Sequence, residues 1–350
     1  MKNMRVAVLE ETGRIRLHSR PVPSYGPNDV LVRVAYVGVC GSDMALFENG
    51  FIGHNYVREP MVLGHEASGT VVAVGDLVRD LEPGDRVALE PGVPCGKCDL
   101  CRRGLYNLCP DVFFWASLPV TEGALQDYVR HPAKYCHKLP NNLSLLDGAL
   151  VEPLSVGLHA VEKSDIKAGQ NALVLGFGCI GALTTLSLLA AGVPRVIAVD
   201  LMENRLNLAG DIGAEPLLPA EGASLAGTVE SIFGKKPQHV FEAAGNETTM
   251  NEAISCCERG GTITFVGYTK KGIASIEVND LIDKELTIKS VFRYRHIYPR
   301  AISLLSRNYI SLEKIVSSVF ELEDIQAGFE AAVNRKSEVT KCVVSVNGER

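Results

Sequence analysis

The cysteines of this chain are unevenly distributed, and four of them form a close cluster at Cys95, Cys98, Cys101 and Cys109. Ten cysteines among 350 residues are too dilute for a scaffold stapled by disulfides. In a reducing compartment such close spacing indicates a metal site instead. Thiolates at this spacing can surround one tetrahedral Zn²⁺, and four protein ligands leave no open position for chemistry. The cluster therefore predicts a structural zinc, with a redox cluster or an empty site as the alternatives.

A second group of possible metal ligands comes from three separate segments of the chain. It consists of Cys40 in the motif Cys-Gly-Ser-Asp, His65 followed by Glu66, and Glu152. Thiolate, imidazole and carboxylate are all zinc ligands, and three of them plus a water form the usual catalytic arrangement. The spacing alone does not establish a metal site, and it favours a buried cysteine, a core histidine and an interdomain salt bridge. Both interpretations stay open at this point.

A glycine motif begins the second half of the chain. Gly176, Gly178 and Gly181 form G-x-G-x-x-G, and Cys179 and Ile180 lie between the last two glycines. The motif follows an apolar strand and opens a helix, which is the context of a dinucleotide fingerprint. The first glycine permits the turn, the second lets the pyrophosphate approach, and the third packs the helix against the strand. The pyrophosphate is expected at the helix N-terminus.

Two charged residues at and after the end of the next strand bear on whether NAD or NADP binds. Asp200 ends that strand and would accept hydrogen bonds from the ribose hydroxyls. A carboxylate there repels a 2′-phosphate, so NAD is favoured over NADP. Arg205 follows on the next helix, where it either stacks over the adenine or belongs to a solvated helix face.

The elements that must position these residues lie in two regions of the chain with different sequence patterns. Up to about residue 150 the chain is rich in Gly, Pro and Val, and turn residues interrupt short alternating runs such as VLVRVAYVGV. This pattern predicts a β-rich domain with a strongly bent sheet or partial barrel. From about residue 167 apolar strands alternate with helical patterns, which indicates βαβ units and a parallel sheet. The predicted fold class is therefore α/β.

Composition excludes several classes of protein. With 46% hydrophobic and 22% charged residues the chain is typical of a globular protein. A formal charge of −6 without a Lys/Arg run argues against nucleic acid as a partner. The N-terminus lacks the apolar core of a signal peptide, and the longest apolar stretch is too short to cross a membrane. We therefore expect a cytoplasmic protein without a membrane partner.

Several longer motifs resemble the zinc-containing medium-chain alcohol dehydrogenase superfamily. They are CGSD from Cys40, GHEASGTVVAVG from Gly64, GDRVALEPGVPCGKCDLC from Gly84 and EPLSVGLHA from Glu152. Within the superfamily the chain most resembles the polyol branch, which contains the sorbitol (L-iditol 2-) and xylitol dehydrogenases. The resemblance implies a GroES-like catalytic domain with the structural zinc over residues 1–155, a Rossmann NAD-binding domain over 156–292, and a C-terminal return to the catalytic domain over 293–350.

The same resemblance implies roles for site residues. Cys40, His65 and a carboxylate would hold a catalytic zinc, with Glu66 and Glu152 sharing the carboxylate role between metal and water. Ser42 would carry a proton away from the substrate, and Arg293 would hydrogen-bond its distal hydroxyls. The other residues implied near the nicotinamide and the substrate are Val266, Gly267, Tyr268, Phe292 and Tyr294.

The implied reaction transfers a hydride from a secondary hydroxyl of a polyol to NAD⁺ and gives a ketose. The implied protein carries two zinc ions per subunit and forms a homotetramer or homodimer. One position departs from the branch: many sorbitol dehydrogenases have a histidine where this chain has Ala45. A sugar-alcohol phosphate, a threonine-like amino alcohol or a butanediol is therefore an alternative substrate. A zinc-binding module without enzymatic activity is the alternative class, and it would need only one zinc.

Overall fold

The computed structural model describes residues 3–269, 272–335 and 339–348. Packing divides the chain into two compact units, which are described separately. Unit 1 comprises Met1–Glu152, Tyr298–Asn308 and Val316–Arg350. Unit 2 comprises Pro153–Ile297 and Tyr309–Ile315.

The strands are numbered along the chain. They are β1 (Asn3–Glu11), β2 (Arg14–Pro21), β3 (Asp29–Gly38), β4 (Phe51–Ile52), β5 (Asn55–Tyr56), β6 (Met61–Val62), β7 (Glu66–Val74), β8 (Arg86–Leu89), β9 (Gly92–Val93), β10 (Phe113–Phe114), β11 (Tyr128–Pro132), β12 (Cys136–Lys138), β13 (Ala172–Leu175), β14 (Val196–Val199), β15 (Glu215–Leu217), β16 (His239–Glu242), β17 (Thr262–Phe265), β18 (Thr287–Ser290), β19 (Ser318–Glu321) and β20 (Cys342–Ser345).

The helices are numbered in the same way. They are α1 (Gly41–Asn49), α2 (Asp99–Arg102), α3 (Leu145–Ser164), α4 (Cys179–Ala190), α5 (Glu203–Asp211), α6 (Leu225–Phe233), α7 (Glu247–Cys256), α8 (Val278–Asp283), α9 (Tyr298–Ser306) and α10 (Ile325–Asn334). Short 3₁₀ helices cover Tyr106–Leu108, Ala133–Tyr135 and Leu322–Asp324. No helix in the described part of the chain is long and apolar enough to cross a membrane.

Unit 1 is built around a largely antiparallel sheet in the order β12-β8-β7-β3-β20-β19, and β11 also pairs with β3. The central strand β3 has the alternation that the sequence predicts, because Val30, Val32 and Val34 are fully buried. Strand β7 pairs with β3 so that Glu66 lies opposite Gly38. Strand β20 pairs with the other edge of β3, with Val343 opposite Gly38. The ends of these three strands therefore meet near residue 38.

Unit 2 contains a parallel sheet in the order β15-β14-β13-β16-β17-β18. The inner strands read as continuous apolar runs, such as ALVL in β13 and VIAV in β14, and every residue of these two strands is buried. Such runs are typical of parallel strands that are covered on both faces. Because parallel strands end at the same edge of a sheet, the loops that follow β13, β14, β16, β17 and β18 emerge together.

The C-terminal segment is divided between the units, whereas the resemblance implied a return to the catalytic domain from residue 293 onwards. Unit 1 contains α9, because the hydroxyl of Tyr298 donates to the carbonyl of Leu89 at 3.0 Å. It also contains β19 and β20, which extend the sheet beside β3. Residues 309–315 belong instead to unit 2, and the first unit ends at Glu152 rather than at residue 155.

Candidate metal centres and dinucleotide site

The four clustered cysteines, here called the cysteine lobe, converge on one point of unit 1. Their Sγ atoms all lie within 4.8 Å of one another. The Sγ atoms of Cys95 and Cys101 are 4.0 Å apart, and those of Cys98 and Cys109 are 3.9 Å apart. A tetrahedral zinc with Zn–S bonds of about 2.3 Å places its sulfurs roughly 3.8 Å apart. The lobe therefore has the dimensions of a structural zinc site.

Backbone N–H groups prepare the lobe for a cation. The N–H groups of Lys97 and Cys98 lower the pKa of the Cys95 thiol to about 6, which favours the thiolate that binds metal. Burial and the neighbouring Cys98 thiol raise the pKa of Cys101 to about 12. Thiolates that share so small a space repel one another, and a divalent cation removes that repulsion.

The lobe is attached to the sheet of unit 1 through Glu90. This carboxylate is 5% exposed and accepts a hydrogen bond of 2.9 Å from the hydroxyl of Tyr106, which lies between Cys101 and Cys109 in the chain. Its other oxygen lies 2.9 Å from Nε2 of His137 on β12. Glu90 thus links a segment with little apolar material of its own to the core.

A second group, here called the mixed-ligand centre, consists of Cys40, His65 and Glu66. The donor atoms of these three residues lie within 4.8 Å of one another. Their proximity follows from the register of the sheet, because Glu66 opposes Gly38 and Cys40 follows Gly38 by two residues. Residues that are distant in sequence therefore meet at the ends of β3 and β7. Thiolate, imidazole and carboxylate form the donor set of a catalytic zinc that keeps a position open.

Asp43 ties the two ligand-bearing segments together. Its side chain is fully buried, and it accepts the backbone N–H groups of Cys40 and Gly64, each at 3.1 Å. Its Oδ1 lies 3.7 Å from Nδ1 of His65, and that nitrogen has no hydrogen-bond partner among the described residues. The motif Cys-Gly-Ser-Asp contains this residue, but sequence reasoning gave it no role. The available signal was its place three residues after a helix N-cap.

The side chains around His65 favour a positive charge on its imidazole. Burial lowers the pKa of His65, but the charges of Asp43, Cys40 and Glu152 outweigh it and raise that pKa to about 10. Burial raises the pKa of Asp43, which His65 and the backbone donors oppose. Without a metal the imidazole of His65 is therefore protonated at neutral pH, and its positive charge occupies a place that also favours a metal cation. The residues present fit a divalent metal ion.

Glu66 is held from behind by a buried lysine that the sequence analysis did not identify. Lys341, 3% exposed, forms an ion pair with Glu66 and donates to the carbonyl of Val39 at 2.9 Å. It reaches this place because β20 pairs with β3. A side chain at Gly38 would overlap the Glu66 carboxylate, so glycine is required there.

Two predicted members of the centre have different surroundings. Glu152 is 5% exposed and raises the pKa of His65, so it lies within electrostatic range of the imidazole. It is nevertheless not one of the residues whose donor atoms lie within 4.8 Å of one another. Ser42 is half-buried in the first turn of α1, and Ala45 follows one turn later on the same helix.

The glycine loop of unit 2 has the shape that a dinucleotide requires. Gly176 has φ of +88°, and a side chain there would collide with Ala244. A side chain at Gly181 would collide with the carbonyl of Gly176. At Gly178 nothing lies within 4 Å of where a Cβ would be, so the N-terminus of α4 is open above it. That open helix end, with its free N–H groups, fits a pyrophosphate.

Asp200 organises the neighbouring turn. It is 8% exposed and accepts the N–H groups of Phe177 at 2.7 Å and of Met202 at 3.0 Å. Arg205 lies 3.3 Å from the same carboxylate. The structure therefore pairs Arg205 with Asp200, and a contact of Arg205 with the adenine stays a prediction.

The other residues implied near the nicotinamide follow two strands of the same sheet. Val266, Gly267 and Tyr268 follow β17, and the side chain of Tyr268 is 67% exposed. Phe292, Arg293 and Tyr294 follow β18. Arg293 has φ of +54° and lies 4.7 Å from the ring of Phe292, whereas Tyr294 is 3% exposed. The parallel sheet thus gathers these segments and the glycine loop at one edge.

The chain matches two family models and many known proteins. Residues 26–141 match the alcohol dehydrogenase GroES-like domain, and residues 179–307 match the zinc-binding dehydrogenase domain. It is 40% identical over 349 residues to the "Uncharacterized zinc-type alcohol dehydrogenase-like protein YdjJ" of Escherichia coli (strain K12), which covers 99% of this chain and 100% of that protein.

Two further relatives carry assigned activities in their names. Sorbitol dehydrogenase of Bos taurus is 41% identical over 328 residues, which covers 93% of this chain and 92% of that protein. The crystal structure of 2R,3R-butanediol dehydrogenase from Bacillus subtilis superposes with a TM-score of 0.89 at 33% identity, covering 98% of this chain and 100% of that chain.

The chain therefore belongs to the zinc-containing medium-chain alcohol dehydrogenase superfamily, in its sorbitol dehydrogenase branch. The predicted α/β fold, with a GroES-like domain and a Rossmann domain, is confirmed. In such a zinc-binding dehydrogenase the cysteine lobe fits the structural zinc, and the mixed-ligand centre fits the catalytic zinc. The Rossmann domain fits NAD or NADP.

Proposed function

We propose that this protein is a polyol dehydrogenase that transfers the hydride of a secondary hydroxyl to NAD⁺ and releases a ketose. Two observations carry the proposal: the chain is 41% identical to a sorbitol dehydrogenase, and its fold brings the donor atoms of Cys40, His65 and Glu66 within 4.8 Å of one another. A zinc ion supplies Lewis acidity towards the substrate hydroxyl when bound, and the nicotinamide accepts the hydride.

The side chains of the chain divide the remaining work. Cys40 and His65 would hold the metal, while Lys341 and Asp43 keep the segments around it in place. Ser42, half-buried two residues after Cys40, would accept the hydroxyl proton and pass it to solvent. The carbinol carbon loses its hydrogen with the electron pair and becomes the ketone carbon. Arg293 would bind hydroxyls farther along the substrate.

The proposal includes a preference for NAD over NADP. It is supported by the buried carboxylate of Asp200, which lies beside the glycine loop with both oxygens already receiving backbone N–H groups. A fixed negative charge there repels the 2′-phosphate of NADP. Replacing Asp200 by Ser should therefore raise the use of NADP⁺ relative to NAD⁺ by at least about tenfold. A wild-type kcat/KM that is no higher with NAD⁺ than with NADP⁺ would contradict the preference, and an unchanged ratio in Asp200→Ser would contradict the role of Asp200.

A substrate panel tests the proposed reaction. The purified protein is mixed with NAD⁺ and with sorbitol, xylitol, galactitol, ribitol or their phosphates, and NADH absorbance is recorded. Cys40→Ala serves as the inactive control. Turnover of an unphosphorylated polyol supports the proposal, and turnover confined to the phosphates contradicts it.

A butanediol is the second candidate substrate. It is favoured by the similarity to 2R,3R-butanediol dehydrogenase and by Ala45, an apolar residue in α1 five positions after the ligand Cys40. A short diol needs fewer polar contacts than a hexitol does. If 2,3-butanediol gives a kcat/KM higher than every polyol of the panel, this candidate replaces the first.

We also propose that the protein forms a homo-oligomer. Strand β18 is an edge strand of the sheet in unit 2, and no described strand pairs with its outer side. Apolar side chains are exposed on this strand and on the segment that precedes it, among them Ile273, Val278, Ile282 and Ile288. A second copy could continue the sheet and cover these side chains. In light scattering, Ile282→Glu should lower the mass of the oligomer, whereas Leu218→Glu at the opposite sheet edge should not.

A further inference from the structure

A buried carboxylate outside the predicted site lies at the last residue of β16. Glu242 is fully buried, between a strand of apolar residues and the loop that follows. Its Oε1 accepts three hydrogen bonds: from the N–H of Ala244 at 2.9 Å, from the N–H of Gly245 at 2.7 Å and from the hydroxyl of Thr249 at 2.8 Å. Three donors from one loop and the helix behind it thus converge on a single oxygen.

The loop that Glu242 holds contacts the glycine loop and the loop after β17. Ala244 lies so close to Gly176 that a side chain on that glycine would overlap it. A side chain on Gly245 would likewise overlap the backbone of Tyr268, and a side chain on Gly267 would overlap the backbone of Gly245. A shift of the loop after β16 therefore changes its contacts with both neighbours, whereas the glycine loop is also held by Asp200, which accepts the N–H of Phe177 at 2.7 Å.

The backbone of Glu242 adds a direct bond to the loop after β17. Its carbonyl accepts the N–H groups of Val266 at 2.8 Å and of Gly267 at 3.0 Å. One residue thus fixes its own loop through its side chain and the neighbouring loop through its carbonyl. Fully buried polar groups of this kind are costly unless their bonds are made.

We propose that Glu242 is a positioning residue for the dinucleotide. It fixes the positions of the loops after β16 and β17 relative to Gly176. The proposal rests on the dinucleotide function stated above and on the expectation that Val266, Gly267 and Tyr268 line the nicotinamide pocket. Glu242 acts through the backbone, and the adenine end, organised by Asp200, does not depend on it.

The chemistry of the side chain suggests a conservative replacement. Burial raises the pKa of Glu242, while Thr249 and the backbone donors lower it. Its second oxygen, Oε2, has no hydrogen-bond partner among the described residues. Glutamine keeps the accepting oxygen and the shape, so Glu242→Gln should preserve the loops. Leucine has a similar size and removes the acceptor.

The test compares the binding of NADH with that of AMP, which lacks the nicotinamide half. Both affinities are measured by calorimetry on wild type, Glu242→Leu, Glu242→Gln and Glu252→Leu. Glu252 is a half-buried glutamate on the neighbouring helix α7 and serves as the matched control. Glu242→Leu should weaken NADH at least about tenfold, because two N–H groups and a hydroxyl lose their acceptor. AMP affinity should stay within about threefold in all four proteins, and the other two variants should bind NADH like wild type.

Hydrogen exchange provides a readout that a general loss of stability would not imitate. The amides of Ala244 and Gly245 should exchange faster in Glu242→Leu than in Glu252→Leu at equal distance below their melting temperatures. NADH affinity within about threefold of wild type in folded Glu242→Leu would overturn the proposal, and so would an equal loss of AMP affinity. A wild-type protein that binds no NADH would instead overturn the dinucleotide function itself.

A milder variant covers the case in which Glu242→Leu does not fold. Thr249→Val removes one of the three donors and leaves the carboxylate in place. It should weaken NADH by about two- to fivefold and leave AMP unchanged. Unchanged NADH affinity in Thr249→Val would overturn the proposal in that case. A loss of tenfold or more in Glu242→Gln would also overturn it, because the charge of the carboxylate rather than the geometry of the loop would then matter.

Discussion

The cysteine lobe and the mixed-ligand centre hold their donor atoms by different means. In the lobe every donor comes from one stretch of chain, and backbone N–H groups of Cys95, Cys98 and Cys101 contact the sulfurs of neighbouring cysteines. In the mixed-ligand centre the donors come from the ends of β3 and β7, and side chains from elsewhere fix them. The first site is therefore encoded by local spacing, and the second by strand register and buried charge.

The largest effect is expected from removing one ligand of each centre. Cys40→Ala should lower turnover by at least about a thousandfold, because the Lewis acid is lost, while NADH binding and the melting temperature change little. Cys98→Ser should instead lower the melting temperature strongly, since structural zinc contributes to folding. Activity assays and calorimetry on both variants check that one variant loses turnover and the other loses stability. Cys40→Ala with wild-type turnover, or Cys98→Ser with wild-type stability, would erase the distinction between the centres.

Removing the buried lysine should show how far the mixed-ligand centre depends on Lys341 when no metal is bound. Lys341→Met leaves the buried Glu66 carboxylate without its cation, a change that costs about 3–5 kcal/mol in comparable pairs. The loss should be larger in the metal-free protein than in the zinc-loaded one, because zinc also offsets the charge of Glu66. Urea unfolding of both forms measures this, with the exposed Lys134→Met as a control. Equal losses in the two forms would show that Lys341 does not act on the metal centre.

A smaller effect is expected from Asp43, which touches no metal itself. Asp43→Asn should weaken zinc at the mixed-ligand centre by about 10- to 100-fold, as is typical for a residue behind the ligands. Competition with a chelator measures this affinity. The zinc of the cysteine lobe is the internal control, and a parallel loss at both centres would contradict the role of Asp43.

The last prediction is that the free energy of unfolding of the metal-free protein changes gradually with pH. In the metal-free protein the pKa of His65 is raised from 6.5 to about 10, so its proton stabilises the fold fully below pH 6.5. This contribution is lost as pH rises towards 10, at no more than about 1.4 kcal/mol per pH unit. Urea unfolding between pH 6.5 and 10 should show the decline in metal-free wild type and not in His65→Gln. Parallel profiles for the two proteins would rule out this linkage.

The sequence predicted the features that depend on local pattern. The alternation in β3, the strand before Gly176 and the helix after Gly178 lie close to where the pattern placed them. The cysteine lobe belongs to the same group, because its spacing alone brings the sulfurs together. In each case the information lies within about one element of the chain.

Two helices were missed for local reasons. The sequence analysis placed no helix after Cys40, but α1 begins there, because Cys40 is the N-cap and Asp43 completes a capping box. Helix α3 runs through Pro153, the first residue of unit 2, and the sequence analysis placed no helix there either. Proline removes one N–H donor from a helix, and burial of the apolar side chains around it offsets that cost.

The remaining features depend on long-range register. Lys341 reaches Glu66 only because β20 pairs with β3, and sequence gives no signal for a pairing of strands so far apart. Glu242 lies in a predicted strand, but its role follows from loops that meet at the edge of the sheet. Arg205 pairs with Asp200 because both lie at the same turn, a contact that the sequence left open.

The zinc content of the protein tests this account most directly. Mass spectrometry should find two zinc ions per chain in wild type and one in Cys40→Ala, with the retained ion resistant to chelators that strip the mixed-ligand centre. A single zinc in wild type, or two in Cys40→Ala, would show that Cys40 and His65 do not form a metal site.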